Sequence, residues 1–183
     1  MPDSNSNPLF IILGALLAFA GTSLVEYGKW RRNRRDQNLN FRLLAKQELK
    51  VVHKTLDKLK GRFEAQRYWD YMLLDQLKKS VTDLEGYKRD SISLRSVDHQ
   101  ENYIDLVSDL SFFEAGTRGL QIFYYQQKDL LKGVEKESGV IQKIFKTETE
   151  LQSHFDRVSM EKTIEIVELI RRSDELAKEL ERK

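Results

Sequence analysis

Histidine is the side chain best suited to move a proton or hold a metal near neutral pH, and the chain has three, His53, His99 and His154, about fifty residues apart. None has a second histidine three or four residues away, as zinc-binding helices require. A metal site would have to be assembled from three separate elements, so the expectation is surface or hydrogen-bonded histidines and no metal. The absence of cysteine excludes disulfides, thiolate metal sites and cysteine nucleophiles. No glycine-rich phosphate loop of either common spacing occurs. Carboxylates are plentiful but stand beside Lys or Arg, as they do on solvated helix faces. Glu114 is the one acid set among small and aromatic neighbours, in the stretch SFFEAG, and is the acid to inspect, although the edge of a packed stripe also accounts for it. The aromatic sets Tyr68-Trp69-Tyr71, Phe112-Phe113 and Phe123-Tyr124-Tyr125 could line a pocket. At this spacing they read better as core, with tyrosine hydroxyls that need partners. These residues form no catalytic constellation, and the expectation is a protein that is not an enzyme, with no cofactor and no small-molecule substrate.

The elements that position these residues should be helices. Of 183 residues, 33% are charged and 40% apolar, and the only two prolines, Pro2 and Pro8, stand at the N-terminus. Average usage of about 5% would place about nine prolines in the remainder. The fold class expected is all-α: one N-terminal transmembrane helix, then a cytoplasmic bundle of about four helices with a long amphipathic C-terminal helix.

The membrane reading rests on Leu9 to Val25, LFIILGALLAFAGTSLV, in which 13 of 17 residues are apolar and no charge occurs between Asp3 and Glu26. At about 1.5 Å per residue such a helix covers the roughly 30 Å hydrocarbon core of a bilayer. Pro8 suits a first helical turn, and Tyr27 and Trp30 suit the headgroup level. Lys29, Arg31, Arg32, Arg34 and Arg35 follow, against no basic side chain before the span, so the positive-inside rule places the N-terminus outside and the rest in the cytoplasm, by default that of a bacterial inner membrane. A cleaved signal peptide, suggested by Ala18-Phe19-Ala20, lacks a basic leading region, and a buried core helix would be unusually long without a charge. The domains expected are a short arm at 1–8, a transmembrane helix at 9–28, a basic collar at 29–35 and a helical domain at 36–183. Gly14, Ala18 and Thr22 recur every fourth residue and Gly21 follows Gly14 by seven, a small-residue face on which two spans could pack.

The net charge of +2 comes from this collar, since 29–35 carries +5 and 36–183 carries −1. Anionic lipid and topology account for the cations, and no nucleic-acid partner is expected.

Beyond Asp36 the apolar positions recur in threes and fours. One run takes Phe41, Leu44, Ala45, Leu49, Val52, Leu56, Leu59 and Phe63 and could continue the membrane helix unbroken. A second takes Trp69, Leu73, Leu77, Val81, Leu84 and Tyr87, with Tyr68, Tyr71, Met72 and Leu74 widening a face that should be buried. Gly86 to Val97 reads as a connection, and Asp98 with Glu101 as a capping box. The third run is Tyr103, Leu106, Leu110, Phe113, Thr117, Leu120, Tyr124, Gln127 and Leu131. Gly116 and Gly119 inside it imply a close neighbour or a kink. After a turn at Gly133 to Gly139, Ile141, Ile144, Leu151, Phe155, Val158, Ile166, Ile170, Ala177 and Leu180 mark the last helix, interrupted at Glu148 and Lys162. It either packs on the bundle or projects as a coiled coil.

The chain carries no motif specific to a known family. The function this pattern supports is a membrane-anchored interaction or scaffold module that meets a protein partner or copies of itself. A membrane effector of toxin or antiphage type, oligomerising through the small-residue face, is the alternative; an enzyme on a membrane substrate, using Glu114 or a histidine, is a third.

Overall fold

A computed structural model describes the backbone of residues 8–93, 97–133 and 144–181, with side chains for all of these except 8–16, 18, 90, 92, 93 and 97. The described residues form four helices and no strand: α1 Pro8–Gln66, α2 Tyr71–Gly86, a 3-10 segment Tyr87–Ser93, α3 Val97–Leu131 and α4 Glu148–Glu181. Two compact units divide the chain, residues 1–40 and 41–183.

The first unit holds the beginning of α1. Its described apolar side chains are uncovered, with Leu17 66%, Phe19 72%, Leu24 71% and Val25 57% exposed. Among the described residues no helix is long and apolar enough to cross a membrane. The side chains of residues 9–16 and of Ala18, half of the run read as a span, lie outside the described residues.

Among the described residues, the buried core lies in the second unit. Phe41, Ala45, Leu49, Val52, Leu56, Leu59 and Phe63 of α1 are at most 2% exposed, as the periodicity predicts, whereas Leu44 stands outward. α1 stops at Gln66, where Arg67 takes a left-handed φ of 56° and its N–H donates to the Phe63 carbonyl at 2.8 Å. This is an αL helix stop made without glycine. Three residues later Asp70 caps α2, its Oδ1 accepting from the Met72 and Leu73 N–H groups at 2.9 and 3.4 Å.

Trp69 therefore belongs to the α1–α2 turn and not to α2, yet its side chain is fully buried. The wide buried face expected of α2 is narrower: Leu74, Leu77, Ser80, Val81 and Leu84 are buried, but Tyr68, Tyr71 and Met72 are exposed, Met72 by 82%. The turn moves Tyr68 out of the helical register, and at the start of α2 the chain has just emerged from the core.

α3 runs unbroken through Gly116 and Gly119. Neither glycine answers to a close backbone approach: a Cβ on Gly116 would meet only the Lys162 side chain at ordinary contact distance, 3.8 Å, and one on Gly119 would meet nothing. Asp98 lies within the first turn of α3 and is not its cap, because the helix already includes Val97. Gly133, at φ 74°, provides the stop after α3, its N–H donating to the Leu130 carbonyl at 3.2 Å.

α4 begins at Glu148, later than the apolar pattern suggests. Ile144 precedes the helix and is 63% exposed, held by its N–H on Gln127 Oε1 at 3.0 Å; Ile141 lies outside the described residues. The start is fixed by Thr147, whose Oγ1 accepts from the Glu150 N–H at 3.1 Å while Glu150 Oε2 accepts from the Lys146 N–H. From there Leu151, Phe155, Ser159, Ile166, Leu169, Ser173, Leu176 and Leu180 are buried, so α4 packs on the bundle along its whole length and does not project from it. It runs antiparallel to both α1 and α3: Lys46 pairs with Glu181 and His53 with Asp174, while Asp109 meets Arg172 and Tyr124 meets Gln152.

Candidate functional site

The basic collar is the most strongly charged feature of the described chain, and it belongs to the first unit. Every side chain from Glu26 to Gln37 is exposed. Lys29, Arg31, Arg32, Arg34 and Arg35 enter no ion pair among the described residues. The Tyr27 and Trp30 rings stack at 5.8 Å, and the Arg34 guanidinium lies over Trp30 at 5.1 Å. Residues spaced three and four apart share a helix face, so these three make one ladder up the side of α1. The cation–π contact restrains Arg34 and leaves its N–H groups open to an acceptor.

Of the small-residue face, Gly14 and Ala18 have side-chain surroundings outside the described residues. Gly21 has open space around it, and the Thr22 hydroxyl donates to the Phe19 carbonyl at 3.0 Å.

The candidate acid, Glu114, is 7% exposed and committed to a salt bridge. Arg118 Nε donates to its Oε1 at 2.6 Å, and Arg118 Nη2 reaches Asp75 Oδ1 at 2.7 Å, joining α3 to α2. The hydrogen bonds that it donates to both carboxylates raise the Arg118 pKa above its ordinary value. Burial, with Tyr125 nearby, pushes the Tyr71 phenol up, against the opposing pull of Arg118. This arrangement ties α3 to α2.

The histidines are not brought together. His53 meets Asp174 at 2.6 Å, His99 approaches Glu179 at 3.8 Å, and His154 lies beside Arg157 at 3.2 Å and the Phe145 ring at 5.3 Å. Among the described residues no group of three metal-binding side chains could hold an ion. Two of the histidines instead serve, with Lys46, to clasp the last turns of α4 to α1 and α3.

Sequence reasoning missed the polar hub around Trp69. Its N–H donates to Gln121 Oε1 and its carbonyl accepts from Gln121 Nε2, both at 2.9 Å. The indole Nε1 donates to Ser159 Oγ at 3.1 Å. Above and below, the ring stacks on Phe63 at 4.6 Å and meets Phe113 edge-on at 6.4 Å. The turn is thus joined to α1, α3 and α4 at one point. Only the placement of polar Gln121 and Ser159 on otherwise apolar faces could have signalled it.

Two surface grooves accompany α4. One, of about 370 Å3, has Asn102, Leu106, Arg171 and Arg172 among its walls, and its arginines are already engaged, Arg171 with Glu168 and Glu175 and Arg172 with Asp109. The other, of about 430 Å3, is lined by Thr149, Glu150, Ser153, His154 and Arg157. Large apolar side chains stand exposed elsewhere on the second unit. Tyr71 and Met72 open α2, Ile122 and Tyr125 lie on α3, and Met160, Ile164 and Val167 recur every third or fourth residue along α4.

No family model, no curated protein and no solved structure matches this chain.

Proposed function

We propose that the chain is a single-span membrane tether carrying a helical interaction module. The observation that carries this reading is the charge-free run from Ser4 to Val25, followed by five cations among residues 29–35. The exposure of Leu17, Phe19, Leu24 and Val25 supports it, because little of the described protein covers these apolar side chains and hydrocarbon would. With the N-terminus outside and residues 36–183 in the cytoplasm, the collar meets the negatively charged inner surface.

The second unit then presents its exposed apolar residues to a protein partner or to a further copy. Anchors of this kind, Met72, Tyr125 and Ile164 among them, are what interfaces bury at their centres. The cysteine-free chain permits a direct test. Ser4→Cys in otherwise intact cells should react with a membrane-impermeant maleimide, and Ser153→Cys should react only after permeabilisation. Equal labelling of both, or release of the chain by alkaline carbonate, would refute the tether. For the module, proximity cross-linking of the full chain in its membrane should give one discrete adduct, lost in Met72→Asp and Ile164→Asp variants; no adduct in the parent chain would refute it.

A further inference from the structure

The collar is not uniform around the helix. At about 100° per residue, Tyr27, Arg31, Arg34 and Arg35 fall within a sector of about 100°, and that sector contains no carboxylate among residues 26–37. Lys29 and Arg32 fall on the opposite side with Glu26 and Asp36, where the net charge is zero. A belt serving topology alone has no need to separate the two. We propose that Arg31, Arg34 and Arg35 form a facet that recognises the phosphate of anionic phospholipid headgroups.

The chemistry fits the residue types. Guanidinium offers a planar fork that binds phosphate oxygens bidentately, whereas ammonium acts as a point charge. Arg31 stands three and four residues from Arg34 and Arg35, so their side chains are neighbours on the helix surface, close enough to hold one phosphate or two adjoining headgroups. Arg34 rests on Trp30 at 5.1 Å and Trp30 on Tyr27 at 5.8 Å, which pre-orders one of the three forks. The same ladder carries rings that favour the headgroup layer, setting the facet at the depth of lipid phosphate. Charge complementarity therefore names the occupant. The proposal rests on the tether reading above, since a facet at this depth requires α1 to enter the bilayer.

The test uses the full chain reconstituted in phosphatidylcholine vesicles, with carbonate resistance establishing insertion first. Brominated phosphatidylglycerol is then titrated in and tryptophan quenching followed. Trp69 is fully buried, so the quenched signal reports Trp30. Quenching should reach its midpoint at a several-fold lower mole fraction of brominated phosphatidylglycerol than of brominated phosphatidylcholine. The charge-matched pairs decide the facet: Arg31→Gln with Arg35→Gln should bring the two midpoints together, and Lys29→Gln with Arg32→Gln should leave them several-fold apart. Equal losses in the two pairs would overturn the facet while leaving the tether intact. Reversal of quenching by millimolar inorganic phosphate would also overturn it, by assigning the site to a free anion. Failure of insertion would instead strike the tether itself.

Discussion

Thr117 is fully buried on α3, and its hydroxyl has no hydrogen-bond partner among the described residues. A buried hydroxyl without a partner costs about 1–3 kcal/mol on protein scales, and valine keeps the branched shape without the cost. Thr117→Val should therefore raise the urea midpoint, by about 1 kcal/mol of stability. An unchanged or lower midpoint would mean that the hydroxyl is satisfied by a group such as water. The opposite holds at Gln121, whose amide satisfies both backbone groups of Trp69. Gln121→Leu preserves much of the volume but strands a buried N–H and a buried C=O, for a loss of about 2–4 kcal/mol, measurable in the same titration. These two positions also mark the limit of what one sequence shows. Thr117 lies on the stripe read along α3 and Gln121 falls one residue after its Leu120, yet one is a defect and the other a staple. The difference lies in Trp69, 52 residues earlier in the chain, and no local pattern carries it.

At the level of elements, the stripes on α1, α3 and α4 were legible because each buries one face with a three-four period. The connections were less so. The stop at Arg67 uses a residue with no turn preference, so the α1–α2 junction leaves no mark, and the apolar Ile144 extends the helical pattern past the true start of α4. What the pattern could not assign was direction. Charge supplies it: α1 from Phe41 to Gln66 carries +4 and α4 carries −5, so their antiparallel contact is attractive along its length. Glu181 is held below its ordinary pKa chiefly by its hydrogen bond to Lys46, and Glu168 likewise by Arg171. A carboxyl whose pKa is lowered by folding adds stability above its unfolded value, near 4.3, and that stability disappears as pH falls through the folded value. The last turns of α4 should accordingly loosen below about pH 4, seen as faster amide exchange at residues 174–181 than at residues 151–159. Glu181→Gln should remove part of that pH dependence, and the effect should be small because the pair is exposed to solvent. Gly119→Ala tests the same helix bookkeeping from another side: with open space for the methyl group, α3 should gain up to about 1 kcal/mol, read as a higher melting temperature.

For the whole molecule, the division at Asn40 separates two kinds of surface. Among the described residues, every member of the hydrophobic core, from Phe41 to Leu180, belongs to the second unit. Leu17, Phe19, Leu24 and Val25 of the first unit are exposed, while the second unit packs a core with aromatic contacts among Phe63, Trp69, Phe113, Phe155 and Tyr124. Folding of the second unit should therefore not depend on the first. A chain beginning at Asp36 should give a cooperative thermal transition and near-native helix content in aqueous buffer, with a midpoint within a few degrees of that of the full chain in detergent. Since each 1 kcal/mol shifts the midpoint of a domain this size by about 2–8 °C, a larger fall would mean that residues before Asp36 contribute packing energy to the core. The two urea shifts expected at Thr117 and Gln121 should also be reproduced in the shortened chain. Their loss there, with the midpoint preserved, would indicate a core repacked without its first unit. Agreement in all three quantities would make residues 36–183 an autonomous body, to whose fold the preceding 35 residues add nothing.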